Sequence, residues 1–313
     1  MEYLEISLEI LEKFKRPLKF DVYIKRTETS YTKIFKSDDV IDRERVAQYR
    51  KKGVNSFYVE ENDYSIYCLY VEKIGDVLAG SIGKFTPEES SAFIKELVNF
   101  TMHEMILKNN IDERTIKSAG NVVSSCIDTL NTNPKGFVKI LSLMSNQPYI
   151  VKHSIAVSLF SVMLAKKYGI ESESTISHIG LGGFLHDVGV GQLTFDPEDV
   201  ETLTPEQRKE VWRHPELGRQ QLDQIKGIRT EVLQIVTQHH EQPNGRGYPN
   251  GLLGLNIFLP ARIVAVADTF SSLIVKRSFR DSFSCEKALS IMAEETGKFD
   301  TKILAVLNGM FIK

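Results

Sequence analysis

The chain has 313 residues, of which 26% are charged and 42% hydrophobic, as is ordinary for a soluble globular protein. Its formal net charge of -2 excludes a global basic field that would attract nucleic acid or an anionic membrane. The three cysteines are widely spaced, which predicts a reduced, cytoplasmic protein rather than a disulfide framework. No apolar run of about 18 residues and no signal peptide is seen, so no transmembrane helix is expected.

Residues 1–80 have a mixed pattern that predicts a small α/β accessory or regulatory domain. Three segments are short, aromatic and β-branched, as strands are: FDVYIKR (20–26), YTKIF (31–35) and NSFYVE (55–60). The segment DRERVAQYRKKG (42–53) predicts a helix closed by Gly53. The glycine-rich stretch GDVLAGSIGKFTPEE (75–89) indicates a joint between domains.

Residues 86–313 have a helical pattern almost throughout. The first of these helices has a capping box, with Thr86 as N-cap, Pro87 at the first helical position and Glu89 at the third. Further apolar-periodic segments include PKGFVKILSLMSNQ, VKHSIAVSLFSVMLAKKYGI, ISHIGLGGFLHD, IRTEVLQIVTQHH and LPARIVAVADTFSSLIVKR. The fold class is therefore predicted as mainly α, an all-helical bundle preceded by the small α/β domain.

Several polar side chains fall on apolar faces of these predicted helices. His153 shares the face of Val157 and Phe160, and His239 shares the face of Val236. One such histidine is more often a hydrogen-bonded core residue than a ligand. Seven residues change this balance, because each would need its own buried partner: His153, His186, Asp187, His214, His239, His240 and Asp268.

A pair of metal ions would satisfy all seven residues at once. Imidazole and carboxylate ligands without thiolate suit iron, manganese, zinc or nickel. Adjacent residues on a helix point about 100° apart, so His186 and Asp187 can serve two ions of one cluster. The carboxylate of Asp187 has two oxygens and can bridge them.

The order of these residues, followed by HHEQPNGRGYP (239–249), resembles the HD-GYP domain, a metal-dependent branch of the HD phosphohydrolases. The resemblance covers residues 148–308 and continues through LPARIVAVADTF, KRSFR (276–280) and KFD (298–300). It implies a helical HD-type fold, a metal cluster, and hydrolysis of the bacterial messenger cyclic di-GMP in second-messenger signalling. It also implies that binding partners are cyclic dinucleotides.

The resemblance assigns the metal ligands residue by residue. His153, His186, Asp187 and Asp268 would hold one ion, and His214, His239 and His240 the second. Asp187 would bridge the ions and position the attacking hydroxide. Members with a third metal have a glutamate where Tyr149 stands, so a binuclear site is expected, with iron favoured and manganese as the alternative.

Other residues carry expectations about substrate and partners. The loop formed by Asn244, Gly245, Gly247, Tyr248 and Pro249 is a turn that the resemblance places near the metals. It would contact substrate or a protein partner, such as a GGDEF-type signalling protein; the N-terminal domain is a second candidate surface for partners. Arg277 and Arg280 match cations that contact phosphate. Glu241 either orients a ligand histidine or is a solvated acid.

Departures from the family pattern leave two functions open. Val190 stands where the family usually has a lysine, and Gln242, Asn244, Ser271 and Phe279 also differ from the usual residues. One hypothesis is a binuclear phosphodiesterase acting on cyclic di-GMP or a related phosphodiester. The alternative is a catalytically weak or inactive module that senses cyclic dinucleotides or binds proteins. A di-iron oxygenase is disfavoured by the presence of the loop that contains Gly247, Tyr248 and Pro249, the GYP loop. An open cavity mouth lined by Arg277 and Arg280 would favour catalysis.

Overall fold

The computed structural model describes residues 3–6, 8, 17–27, 29–54, 56–79, 87–107, 111–132, 140–142, 144 and 147–311. The chain divides into two compact units, Met1–Phe100 and Thr101–Lys313. The sequence pattern placed the change of architecture between residues 80 and 86, which are not among the described residues. The predicted N-cap Thr86 and most of the predicted helix PKGFVKILSLMSNQ also lie outside them.

The first unit contains a four-stranded antiparallel sheet with the strand order β1-β4-β2-β3. Its strands are β1 (Tyr3–Ile6), β2 (Val22–Thr27), β3 (Ser30–Phe35) and β4 (Phe57–Glu60), and its helices are α1 (Arg43–Lys51), α2 (Glu61–Ala79) and α3 (Pro87–Met102). The three strands and the helix predicted from the sequence are confirmed. Strand β1 was not among the segments predicted as strands.

Helix α2 shortens the joint that was predicted at residues 75–89. Residues 75–79 are the last turn of α2, and residues 87–89 already belong to α3. A single glycine costs a helix only about 1 kcal/mol relative to alanine, so Gly75 does not end α2. The glycine that does follow a helix end is Gly53, whose φ of 83° is the left-handed conformation that glycine adopts easily.

The described part of the second unit is helical, as predicted. A π-helical turn, His103–Leu107, precedes its α-helices: α4 (Glu113–Thr132), α5 (Tyr149–Tyr168), α6 (Glu173–Leu185), α7 (Pro205–Val211), α8 (His214–Asp223), α9 (Thr230–Gln238), α10 (Leu259–Ile274), α11 (Cys285–Glu294) and α12 (Thr301–Phe311). Among the described residues, α5 is the one helix that is long and apolar enough to span a membrane. Of the 18-residue apolar stretch that meets this condition, 72% is buried inside the protein. Helix α5 is the central core helix of the bundle, where Phe160 packs edge-on against Phe270 of α10.

The glycines of GLGG (180–183) let α6 lie close to its neighbours. A Cβ on Gly182 would lie 2.6 Å from the Ile235 side chain of α9, and one on Gly183 would lie 3.3 Å from the backbone of Ser158 in α5. Real Cβ atoms avoid the first of these distances. The C-terminal end of α6 is therefore brought close to α5, which carries His153, and to α9, which ends at His239.

The contact between α6 and α9 can be tested with one substitution made at two helix positions. Gly182→Ala should lower the free energy of unfolding by about 1–3 kcal/mol, because it overpacks the contact with Ile235. Gly120→Ala, in α4, should raise it by about 0.5–1 kcal/mol, since nothing lies within 4 Å of the added Cβ and alanine favours the helix. Chemical denaturation of the full chain measures both; equal effects at the two positions would contradict the packing.

Candidate metal centre

The seven polar residues singled out in the sequence converge at one place in the helical bundle, most of them near helix ends. His153 lies in the second turn of α5, and His186 caps the C-terminal end of α6. His214 begins α8, and His239 caps the C-terminal end of α9. The remaining three are Asp187, His240 and Asp268 of α10. The seven form two groups of potential ligands, Asp187 with His214, His239 and His240, and His153 with His186 and Asp268.

The carboxylate of Asp187 connects the two groups. Its Oδ2 lies 3.1 Å from Nε2 of His186, and its Oδ1 lies 3.2 Å from Nε2 of His214. Asp268 also faces both groups, with Oδ1 3.1 Å from Nε2 of His153 and Oδ2 3.9 Å from Nδ1 of His240. Each carboxylate thus directs one oxygen toward each group, which is the arrangement that a bridging ligand requires.

Hydrogen bonds to the backbone fix the orientation of three of the histidines. Nδ1 of His186, His214 and His239 lies 2.7–2.8 Å from the carbonyl oxygen three residues earlier in the chain. A carbonyl can only accept, so each Nδ1 carries the proton. In the neutral imidazole Nε2 then keeps its lone pair, which is the form that binds a metal ion.

The second group shows why a cation fits between these atoms. The Nε2 atoms of His214 and His239 are 3.2 Å apart, although both neutral rings direct lone pairs there. Oδ1 of Asp187 lies 3.2 Å and 4.0 Å from these two nitrogens. Three acceptors therefore converge on a buried point without a proton between the nitrogens. A divalent cation satisfies all three, as the donor set of imidazole and carboxylate favours.

Burial and charge set the protonation of the site. Burial lowers the pKa of His214, and together with the neighbouring histidines it holds the pKa of His239 and His240 well below the usual range. Burial would raise the pKa of Asp187, but the adjacent histidines outweigh it and hold the pKa well below normal. Burial likewise opposes a charged His186, yet the Asp187 carboxylate raises the pKa of His186 to about 9. A metal ion at His186 therefore replaces a proton.

Tyr149 occupies the position where a third metal would require a glutamate. Its ring stacks on the imidazole of His153, with centroids 5.1 Å apart and planes 13° from parallel. The guanidinium of Arg277 lies 4.5 Å from the Tyr149 ring and 4.9 Å from that of Phe279. Burial raises the pKa of the Tyr149 hydroxyl, which stays protonated. A neutral phenol here gives no support for a third ion.

The two arginines expected to contact phosphate differ in their surroundings. Arg277 lines the cavity above the metal groups and pairs with Glu198, whose Oε1 accepts from Nε at 2.9 Å. Arg280 is not among the cavity-lining residues. Its guanidinium donates to carbonyl oxygens of Ser272 and Leu273, near the end of α10, at 2.6 Å and 3.1 Å. The structure therefore brings Arg277, but not Arg280, to the metal groups.

The GYP loop closes over the second histidine group. A Cβ on Gly247 would lie 2.5 Å from the carbonyl oxygen of His240, so only glycine fits there. The Tyr248 ring packs 4.7 Å from that of His240 and lines the cavity. Asn244, Gly245, Gly247 and Pro249 shape the loop without lining the cavity; Asn244 instead donates its backbone N–H to Gly297 at 3.1 Å.

Glu241 has a role that neither sequence-based interpretation anticipated. It is buried, and its two oxygens accept hydrogen bonds from the backbone N–H groups of Asn250 and Leu252 at 2.7 Å and 2.8 Å. It neither orients a ligand histidine nor lies in solvent. A buried carboxylate needs such donors, and here two residues that follow the GYP loop supply them.

The metal groups lie in a cavity of about 1000 Å³. The exposed residues Asp196, Glu201 and Phe279 are part of its wall, so it opens to the protein surface. Its cationic lining residues within the described chain are Lys152, Lys276, Arg277 and Lys298. Sequence reasoning missed Glu198 and Lys152, whose sequence neighbours show no motif that would have identified them. Lys298 was noted only as part of the segment KFD (298–300), with no role in the cavity assigned to it.

Comparisons with known proteins show which family the chain resembles. The HD domain family model matches residues 138–303. The cyclic di-GMP phosphodiesterase PA4108 of Pseudomonas aeruginosa is 28% identical over 59% of this chain and 45% of its own length. The 3'3'-cGAMP-specific phosphodiesterase 1 of Vibrio cholerae is 29% identical over 69% of this chain and 53% of its own. The solved structure of the HDG"Y"P protein Bd1817 from Bdellovibrio bacteriovorus covers 99% of both chains, with a TM-score of 0.67 and 21% identity.

The family model spans more than half of the chain, and the chain therefore belongs to the HD domain family. Its resemblance to the HD-GYP type, first seen in the order of its ligand residues, is confirmed by these relatives. Bd1817 shares the fold along the whole chain, including the N-terminal unit. The chain spans about half the length of the first two curated relatives. Membership of the family implies a divalent metal site, and the two ligand groups fit one.

Asp187 provides the direct test of the metal centre. Asp187→Ala should remove most of the bound metal and lower the melting temperature, because several buried ligands then lack a shared partner. The exposed Asp281 serves as the control position, where Asp281→Ala should leave both quantities unchanged. Metal content by elemental analysis and thermal unfolding measure the outcome. Wild-type metal content in Asp187→Ala would refute the bridging role.

Proposed function

We propose that the chain is a binuclear-metal phosphodiesterase that hydrolyses cyclic di-GMP or a related cyclic dinucleotide. The observation that carries the proposal is the Asp187 carboxylate, shared between two ligand groups on the wall of an open cavity. Two adjacent divalent ions are the arrangement used for in-line displacement at phosphorus. Names of relatives support the substrate class, since they include enzymes for cyclic di-GMP and for 3'3'-cGAMP.

Residues of this chain would divide the work as follows. His153, His186 and Asp268 hold one divalent ion, and His214, His239 and His240 hold the other, with Asp187 common to both. When bound, the two ions supply Lewis acidity and activate water for attack on phosphorus. Iron is the favoured metal and manganese the alternative, since both accept this ligand set. Tyr149 fills the remaining place beside His153 and keeps the centre binuclear.

The cavity suits a ligand of dinucleotide size. Its volume of about 1000 Å³ is at the upper end of small-molecule sites. The exposed ring of Phe279 and the guanidinium of Arg277 form a stacked pair on its wall, a surface on which a nucleobase can stack. Phosphate groups require cations, which Arg277 and the three lysines of the wall supply.

A second function, a catalytically weak cyclic-dinucleotide sensor or interaction module, is favoured by two observations. Val190 lines the cavity where the family usually has a lysine, so a positioned cation is missing from that wall. Arg277 is also already engaged by Glu198. In this case the GYP loop and the N-terminal unit are the candidate surfaces for protein partners of the GGDEF type.

Turnover assays separate these functions. Protein loaded with iron or with manganese should convert cyclic di-GMP to the linear dinucleotide, and removal of the metal by a chelator should abolish the reaction. The same assay with 3'3'-cGAMP and with the linear dinucleotide defines the substrate. If none of them is hydrolysed while elemental analysis shows two metal ions per chain, the proposed phosphodiesterase activity is overturned. Binding without hydrolysis would then establish the sensor.

A further inference from the structure

The cations on the cavity wall are unequally distributed around the two ligand groups. Arg277 stacks on Tyr149, which in turn stacks on His153, so it lies on the side of the first group. Lys152 precedes His153 on α5 and also lines the cavity. Lys276 is mostly exposed and pairs with Asp281 at 2.7 Å. The ion pairs of Arg277 and Lys276 are made with Glu198 and Asp281, away from the second group, which contains His240.

Lys298 is the lining cation that lies beside the second group. The carbonyl oxygen of Gly297, its neighbour, accepts the backbone N–H of Asn244 at 3.1 Å, which joins this segment to the GYP loop. The Cβ atom of Asn244 lies 3.3 Å from where a Cβ on Gly297 would stand. Tyr248 of the same loop packs with its ring 4.7 Å from the His240 ring, and both Tyr248 and Lys298 line the cavity. Lys298 therefore enters the cavity wall next to the loop that covers His240.

The present partner of Lys298 holds it only weakly. Its ammonium donates to both carboxylate oxygens of Glu295, each at 2.9 Å, three residues earlier in the chain. The two side chains are 31% and 39% exposed, and exposed pairs of this kind contribute little to stability. The ammonium of Lys298 also lies 5.3 Å from the centroid of the Phe299 ring. Arg277 is held more firmly, since its pair with Glu198 is less exposed and its guanidinium lies over two rings. Exchange of a carboxylate for a phosphate is therefore easier at Lys298.

We propose that Lys298 binds a phosphate oxygen of the substrate on the His240 side of the cavity and supplies the cation that Val190 does not. The inference rests on the proposed cyclic-dinucleotide function. Lys298 lies in the segment between α11 and α12. The lysine that the family usually has stands at the position of Val190, shortly after His186 and Asp187. The positive charge is thus supplied from a different place in the fold. Its role is to position and neutralise the phosphate, with no proton transfer.

A rescue experiment tests this assignment. Binding of cyclic di-GMP to metal-loaded protein is measured by calorimetry for wild type, Lys298→Gln, Val190→Lys and the double variant. Lys298→Gln should weaken binding about ten- to hundredfold, the loss expected for one charge-assisted hydrogen bond. Val190→Lys should restore most of that affinity in the Lys298→Gln background. A lysine with a merely structural role at 298 would not be replaced by one at 190.

The controls separate the possible failures. Lys302→Gln, which removes an exposed lysine four residues along the chain, should bind like wild type, and metal content should be equal in all variants. Wild-type affinity in Lys298→Gln, or a loss that Val190→Lys does not restore, would overturn the role of Lys298 and leave the proposed function standing. Lysine-dependent binding without turnover would support Lys298 and overturn the enzyme. A wild-type protein that binds no dinucleotide would overturn both.

Discussion

The structure depends on the convergence of buried acceptor atoms that have no donor among them. Nε2 of His214 and Nε2 of His239 face each other at 3.2 Å, while their Nδ1 atoms donate to the carbonyl oxygens of Val211 and Val236, at the C-terminal ends of α7 and α9. The Asp187 carboxylate lies against the same point. Buried lone pairs without a partner are costly, and a cation between them would relieve this cost. Residues from five helices and the turns that follow them bring these atoms together.

Helix α6 shows how the core meets that requirement. Its glycines allow backbone approach to α5 and α9, and its last turn then presents His186 and Asp187 between the ligands of those two helices. Gly189 continues the pattern after the helix. A Cβ there would lie 2.1 Å from the carbonyl oxygen of His214, so the start of α8 packs directly on the turn that follows the HD pair. Metal geometry is thus set by the absence of side chains as much as by the ligands themselves.

The sequence predicted the parts of this protein that local pattern determines. Apolar periodicity gave the helical bundle, and the accumulation of polar residues on apolar faces gave all seven members of the two ligand groups. The cavity wall was less predictable, because its contacts join distant segments. Glu198 and Arg277 are 79 residues apart in the chain, and no local feature of either residue indicates that they pair. Arg280 matched a phosphate-binding position by spacing, yet its guanidinium donates to the last turn of α10. Glu241 was misjudged for a different reason, since its backbone partners Asn250 and Leu252 are close in the chain but their position depends on how the intervening loop folds.

The anchoring of that loop has a mechanical consequence. Glu241 directly follows His240, and its buried carboxylate holds the backbone of Asn250 and Leu252. Tyr248 lies between Glu241 and Asn250 in the chain, and its ring packs against the His240 ring. The loop cannot move outward without exposing an unpaired carboxylate or separating the two rings. The loop and the second ligand group are therefore mechanically coupled. A partner that displaces the loop would also shift the His240 imidazole.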